Sequence, residues 1–355
     1  MFTATAAART DVTGAAHPAP ATRDGRIGVI EARELTRSFD DVTVVKSLDL
    51  SIDRGSIIGL IGPSGCGKTT TVRLLTGLLR PTSGEALLGG TPAAGLSATR
   101  RRDLGYLPQI PALFPELSLW ENLSFHASMY GLPLRRKSLL RSTLEWVELD
   151  EHRHKKVSEA SGGMQRRLAL AAALVHDPEI VFLDEPTAGI DPILREKFWE
   201  HFRALAAAGK TMLVTTQYVC EAAYCDCVGL LSDGELLLFD TPDNLRRAAF
   251  DGEVLDVILR RPATDAEVAR LEQLPFVVGG IEREGSTGLR VVVDGEVLEA
   301  LNECLVEAGL DVESVDEHVV DYDEAFVRVV ERHRSAQQIA QPLDAAGATE
   351  GSDPC

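Results

Sequence analysis

Glycines, a cation and hydroxyls share the run Gly62-Pro63-Ser64-Gly65-Cys66-Gly67-Lys68-Thr69-Thr70, a set of groups suited to gripping phosphate. The apolar stretch Ile57 to Ile61 before it predicts a buried strand, and Thr70 to Leu79 has helical spacing. A loop between strand and helix turns unpaired backbone N–H groups and the positive end of the helix dipole toward an anion. The glycines let the backbone wrap the phosphates, Lys68 reaches the β and γ phosphates, and the Thr69 hydroxyl is placed to ligate Mg²⁺.

Asp184 ends a second apolar stretch, Ile180 to Leu183, and is followed at once by Glu185. A pair of carboxylates at a strand end can simply cap a helix. In company with the phosphate loop, Asp184 is expected to hold Mg²⁺ through water and Glu185 to orient or deprotonate an attacking water. Cys66 lies near the helix N-terminus, an environment that lowers thiol pKa, so ATP-protectable alkylation is expected there.

These groups need a frame. Val29 to Leu35 and Val44 to Ile52 read as an antiparallel flap around a turn at Asp40-Asp41. Leu104 to Leu107 predicts a short strand, followed by helices over Leu119 to Tyr130, with Ser118 and Glu121 as a capping box, Leu134 to Val147 and Gly163 to Val175. After strand 180–183, a helix opens at Leu194 and runs to Ala207, Thr211 to Thr216 is a strand, and Val228 to Leu231 pairs with Glu235 to Phe239 in a hairpin. Buried apolar strands alternating with helices indicate a largely parallel α/β sheet. Beyond Phe250 the order is strand 253–259, helix 264–273, strands 276–283 and 288–293, helix 296–308, strand 312–317 and helix 322–333. That order suggests a small α+β, ferredoxin-like unit. The expected organisation is therefore a tail over 1–27, a nucleotide-binding domain over 28–250 with a helical insert at about 110–177, an accessory domain over 251–334 and a second tail over 335–355.

Acidic residues number 54 against 36 basic ones, a formal charge of −18 that argues against nucleic acid as a partner. The six cysteines are scattered, and Cys220, Cys225 and Cys227 lack the paired spacing of a zinc site, so reduced thiols are expected. The longest apolar run, Leu168 to Val175, has eight residues, far short of the roughly 20 that span a bilayer. Met1 to Arg26 lacks the charged start and apolar core of a secretory signal.

With these residues in view, positions 28–250 resemble the nucleotide-binding subunit of an ABC transporter, a P-loop NTPase. Ala160-Ser161-Gly162-Gly163-Met164 is similar to the family signature, usually Leu-Ser-Gly-Gly-Gln. The resemblance implies that Ser161, Gly162 and Gly163 complete the site of a second subunit, homomeric or heteromeric, with two ATP molecules sandwiched head to tail. It likewise implies that Gln109 is the Q-loop residue whose amide approaches Mg²⁺, that Asp191 lies in the loop crossing the dimer interface, and that Phe39 stacks on adenine. Gln217 departs from the family, which carries histidine there. Glutamine keeps a donor but cannot become cationic, so hydrolysis is expected to be slow and Gln217→His to raise it. Thr215-Thr216-Gln217-Tyr218, Glu221-Ala222 and Tyr322-Asp323-Glu324-Ala325-Phe326 resemble drug-export ATPases, which implies an ABC-2 type permease, a drug-like or lipid-like substrate and a place at the cytoplasmic face of the membrane. The other readings are an ATP-dependent clamp with very slow hydrolysis and a soluble ABC ATPase without a permease.

Overall fold

The computed structural model describes residues 29–250, 252–278, 280–294, 301, 304, 305, 307, 309–318 and 320–340. The expected tail 1–27, most of the expected helix 296–308 and residues 341–355 of the expected second tail lie outside the described residues.

In chain order the elements are β1 (Ile30–Phe39), β2 (Val42–Ile52), β3 (Ile57–Ile61), α1 (Lys68–Leu75), β4 (Ser83–Leu88), β5 (Thr91–Pro92), α2 (Ala98–Arg101), β6 (Leu104–Leu107), α3 (Leu119–Met129), α4 (Lys137–Trp146) and α5 (Gly162–Leu174). There follow β7 (Ile180–Asp184), α6 (Pro192–Ala207), β8 (Thr211–Thr216), β9 (Cys227–Ser232), β10 (Glu235–Asp240) and α7 (Pro242–Phe250). The last stretch holds β11 (Glu253–Leu259), α8 (Asp265–Leu271), β12 (Glu282–Glu284), β13 (Gly288–Val293), β14 (Val312–Glu317) and α9 (Tyr322–Ala340).

The central sheet has the order β10-β9-β3-β8-β7-β6, with only the edge strand β10 antiparallel. β3 and β8 are buried along their whole length, as continuous apolar strands must be when both faces are covered. Alternate residues serve different cores. Ile57, Ile61, Leu183 and Val214 pack toward α3, α4, α5 and α6, whereas Ile58, Leu60, Phe182 and Leu213 pack toward α1 and the antiparallel sheet. Register then aligns the chemistry. Ile61 lies opposite Thr216 and Asp184 opposite Thr215, so β3, β8 and β7 end flush at one edge of the sheet.

The antiparallel flap is larger than the sequence pattern indicates. β4 and β5 extend it in the order β2-β1-β4-β5, over a stretch where Gly84, Gly89 and Gly90 interrupt the strand signal. In the helical insert the capping box forms as expected: the Ser118 Oγ accepts from the Glu121 N–H and the Glu121 carboxylate accepts from the Ser118 N–H at 2.8 Å.

β12-β13-β11-β14 form a separate sheet in which every neighbour is antiparallel, the strand order of a ferredoxin-like unit. The strand expected over 276–283 shrinks to β12 plus an isolated bridge between Val277 and Val293. α9 continues to Ala340, past the expected end at 333, and it bridges two cores: Ala325 packs with Val254 and Val292 of that sheet, and Arg328 donates to the Glu282 carboxylate on β12 at 3.3 Å. Tyr322 and Val330 enter the core shared by the central sheet and the helical insert, and the Arg246 guanidinium stacks 3.9 Å over the Tyr322 ring. The His333 Nε2 meets the Glu235 carboxylate on β10 at 3.1 Å.

These contacts set the expected outcome of removing residues 251–355. The phosphate loop keeps all its neighbours, so ATP binding persists. Losing the burial of Tyr322 and Val330 removes roughly 1.5–3 kcal/mol per side chain. At about 2–4 °C per kcal/mol, the melting temperature falls on the order of 10 °C. Thermal melts and ATP titrations of both chains check this; equal melting temperatures would show that α9 adds no stability.

Candidate functional site

Gly67 is the N-cap of α1 at φ +109°, a left-handed conformation that glycine adopts without strain, and a Cβ there would sit 2.7 Å from the Val44 carbonyl. At Gly62 a Cβ would collide with the Leu231 carbonyl. The loop is also braced from the hairpin turn, where the Gly234 N–H donates to the Cys66 carbonyl at 3.1 Å. Lys68 is 5% exposed and its Nζ donates to the Gly62 and Pro63 carbonyls at 2.7 and 3.0 Å, which fixes the ammonium within the loop. Ser64, Gly65, Gly67, Lys68, Thr69 and Thr70 face a cavity of about 210 Å³. Gln109 and Glu185 line the same cavity, so the expected cradle and the expected base meet in one place. A cavity of about 300 Å³ between α4 and α6, lined by Trp146 and His201 among others, lies away from this loop.

Asp184 is fully buried at the end of β7. Its Oδ1 accepts from the Thr215 hydroxyl at 2.5 Å, while Oδ2 is buried without a hydrogen-bond partner. Such an orphan acceptor fits a cation or its bound water. Thr69 and Gln109 line the cavity, whereas Asp184 is buried outside its lining, next to Glu185. Glu185 adopts φ +54°, a conformation that costs a non-glycine residue about 1–3 kcal/mol and clusters at working sites. Its N–H donates to the Thr215 carbonyl at 3.0 Å, and its Oε1 accepts from the Gln217 Nε2 at 2.9 Å.

Three groups were not singled out as site residues from sequence. The Thr215 hydroxyl and carbonyl hold both acidic residues. Thr187 donates to the fully buried Glu221 carboxylate at 2.7 Å, tying the segment after Glu185 to the turn after Gln217. Arg166 donates to the carbonyls of Pro108, Gln109, Asp184 and Glu185. A polar residue at the end of an apolar strand was the available signal for Thr215; for Arg166 there was none.

Other expected site residues lie outside this cavity. The Ser161 hydroxyl caps α5 by accepting from the Met164 N–H at 3.3 Å, and Asp191 Oδ1 caps α6 by accepting from the Leu194 N–H at 3.0 Å. Ser161, Gly162 and Asp191 are exposed, and a Cβ on Gly163 would lie 3.6 Å from the Gly189 carbonyl, so the signature run borders the Asp191 loop. Phe39 is 41% exposed with the Arg37 guanidinium 4.3 Å from its ring centre, which removes it from the core.

Cys66 departs from expectation. Its side chain turns inward, close enough that a Cβ on Gly62 would lie 2.6 Å from Sγ, and the residue is 5% exposed. Burial pushes the thiol up, outweighing the nearby Lys68 charge and the loop N–H groups that would lower it. The Cys66 backbone, by contrast, is braced within the loop by the Gly234 N–H. Maleimide at neutral pH is expected to label the exposed Cys220 well before Cys66, with ATP making no difference at Cys66. Peptide mapping checks this, and fast, ATP-sensitive labelling of Cys66 would overturn it.

A family model described as ABC transporter matches residues 45–188. The chain is 41% identical over 229 residues to a probable multidrug ABC transporter ATP-binding protein of Escherichia coli, an alignment covering 64% of this chain and 40% of that protein. The chain thus spans less than half the length of that relative. It is 35% identical over 276 residues to the Nod factor export ATP-binding protein I of Burkholderia orbicola, covering 77% of this chain and 89% of that one. Among solved structures, the ATP-binding subunit of an ABC transporter superposes with TM-score 0.58 at 29% identity, covering 62% of this chain and 92% of that chain. A dimeric ATP-binding cassette in a post-hydrolysis state, bound to ADP and Pi, gives 0.56 at 27% identity, covering 60% and 98%.

Proposed function

The chain belongs to the family of ABC transporter ATP-binding proteins, and from that membership we propose that it binds and hydrolyses Mg-ATP and powers a separate membrane permease. The observation that carries this reading is the single cavity shared by Lys68, Thr69, Gln109 and Glu185. Lys68 offsets charge on the β and γ phosphates. Glu185 accepts the proton of the attacking water as its oxygen bonds to the γ phosphorus and the bond to ADP breaks, while Gln217 holds Oε1. Mg²⁺ held by Thr69, Gln109 and Asp184 would supply neutralisation of the phosphate oxygens. Ser161, Gly162 and Asp191, exposed outside their own chain's cavity, and the half-buried Gly163 are suited to close the cavity of a second ATPase subunit, identical or different.

Among the described residues no helix is long and apolar enough to cross a membrane. The segment after Gln109 instead exposes apolar side chains, Ile110 at 82%, Phe114, Phe125, Met129 and Leu134 at 88%, beside a groove of about 280 Å³ lined by Leu113, His126 and Tyr130. That surface is suited to a cytoplasmic segment of an ABC-2 type permease, and the relatives' names favour export of a drug-like or lipid-like substrate. Co-purification with the permease tests the reading. Ile110→Asp with Leu134→Asp should lose the membrane protein while leaving ATP binding intact, and retention would count against this docking face.

A second reading, an ATP-dependent clamp with very slow hydrolysis, is favoured by Gln217. Because the Gln217 amide already donates to Glu185, Gln217→His is expected to change turnover by less than about 10-fold. It should also introduce a pH step near about 6.5, where imidazole gains its proton and glutamine does not. Steady-state ATPase of the assembled complex between about pH 6 and 8 decides. Negligible wild-type turnover, raised roughly 10–100-fold by histidine, would favour the clamp.

A further inference from the structure

Arg166 lies one turn into α5 and is 6% exposed, yet among the described residues it forms no ion pair. Its donors are spent on main-chain carbonyls. Nη1 reaches Pro108 and Gln109, both at 2.8 Å, Nε reaches Glu185 at 3.2 Å, and Nη2 reaches Glu185 at 2.7 Å and Asp184 as well. A guanidinium has five N–H donors in a rigid fork, and here all five contacts fall on two segments that sequence places far apart. Its hydrogen-bond acceptors are neutral carbonyls, and the nearby Asp184 and Glu185 charges offset only part of the cost of burying the guanidinium, an expensive way merely to fill space.

The carbonyls it holds belong to the residues that line the cavity. Gln109 is held at one arm of the fork and the strained Glu185 peptide at the other, its N–H secured on Thr215 and its C=O on Arg166. Arg166 stands on the helix that Ser161 caps, so the helix end offered to a second subunit and the local base are joined through one side chain.

We propose that Arg166 is a positioning residue for hydrolysis, setting Glu185 and the Gln109 loop in place relative to the signature helix; this rests on the ATPase reading above. Its donors end on main-chain carbonyls and it does not line the cavity, so its loss should lower turnover and spare affinity. A displacement of about 1 Å at a reacting group can cost 10²-fold, which sets the scale.

The test uses the full chain with Mg-ATP. Arg166→Met, close in size but without donors, should lower kcat by roughly 30–100-fold with the ATP KM within about 3-fold of wild type. Arg166→Lys, which keeps charge but offers three donors from one point, should lie between them. Guanidinium ion at millimolar concentration should restore part of the rate to Arg166→Ala and none to wild type. A kcat within about 3-fold of wild type in the Met variant, or a KM that rises as kcat falls, overturns the proposal. Should the Met variant fail to fold, the Lys variant carries the same test: a fall of at least about 5-fold in kcat at unchanged KM supports the fork, and full activity overturns it. Wild type that neither binds nor hydrolyses Mg-ATP would sink the ATPase reading instead, a result distinguishable from either outcome at Arg166.

Discussion

Glu185→Gln is expected to cut ATP turnover by about 10²–10⁴-fold while leaving nucleotide binding intact, the usual cost of removing a general base. The substitution is nearly isosteric. Its amide oxygen can still accept from Gln217 Nε2, the contact that spans 2.9 Å in the wild type, and its N–H and C=O keep their partners on Thr215 and Arg166. The strained peptide is therefore held as before, and only the proton acceptor is lost. With hydrolysis blocked, ATP should stay between two subunits and the closed dimer should accumulate. Size-exclusion chromatography with Mg-ATP reads this directly. A variant that remains monomeric at saturating nucleotide, with the permease present as well as alone, would count against the sandwich. A variant that turns over at the wild-type rate would remove Glu185 from the role of base.

The cradle and the carboxylate pair were legible because their chemistry is local. Nine consecutive residues carry the loop, and the apolar runs before Gly62 and Asp184 mark both as strand ends. Flush alignment of β3, β7 and β8 then follows from parallel pairing. Arg166 was not legible, since an arginine in a helix ordinarily reads as a solvated charge and its partners are carbonyls, which carry no side-chain identity, up to 58 residues away. Cys66 shows the opposite failure: the local signal was real, but Leu231 and the fold of the loop bury the thiol, and desolvation outweighs the neighbouring charge. For α9, amphipathic spacing gave the helix but could not say that Tyr322 would pack on the ATPase core rather than on its own sheet. The pairing of Gln217 with Glu185 depends on two strand ends meeting, and was visible only as a departure from the usual histidine.

Lys68→Ala should act on binding, in contrast to Glu185→Gln. Lys68 is the only cationic residue lining the cavity among the described residues, so its loss leaves the phosphates with backbone donors alone. A charge-assisted hydrogen bond contributes roughly 1.5–3 kcal/mol, so ATP affinity should fall about 10–100-fold. Turnover should fall further, because negative charge on the phosphoryl group must be held in place as the bond breaks. The substitution also has a structural side, since the Gly62 and Pro63 carbonyls lose their donor and the first of these is buried. A buried orphan carbonyl costs about 1–3 kcal/mol, enough to lower the melting temperature without nucleotide. The two effects separate in one experiment. Nucleotide stabilises the folded state by RT ln(1 + [L]/Kd), so the shift between melts with and without Mg-ATP reports affinity whatever the starting stability. The wild type should show a large shift and Lys68→Ala little at the same ATP concentration. Lys68→Arg tests charge against shape: a planar fork cannot reproduce the point contacts of Nζ with the Gly62 and Pro63 carbonyls, so the arginine variant should also lose most of the shift despite keeping the charge. A full shift in the alanine variant would mean that backbone donors alone hold the phosphates and that Lys68 acts only to brace the loop.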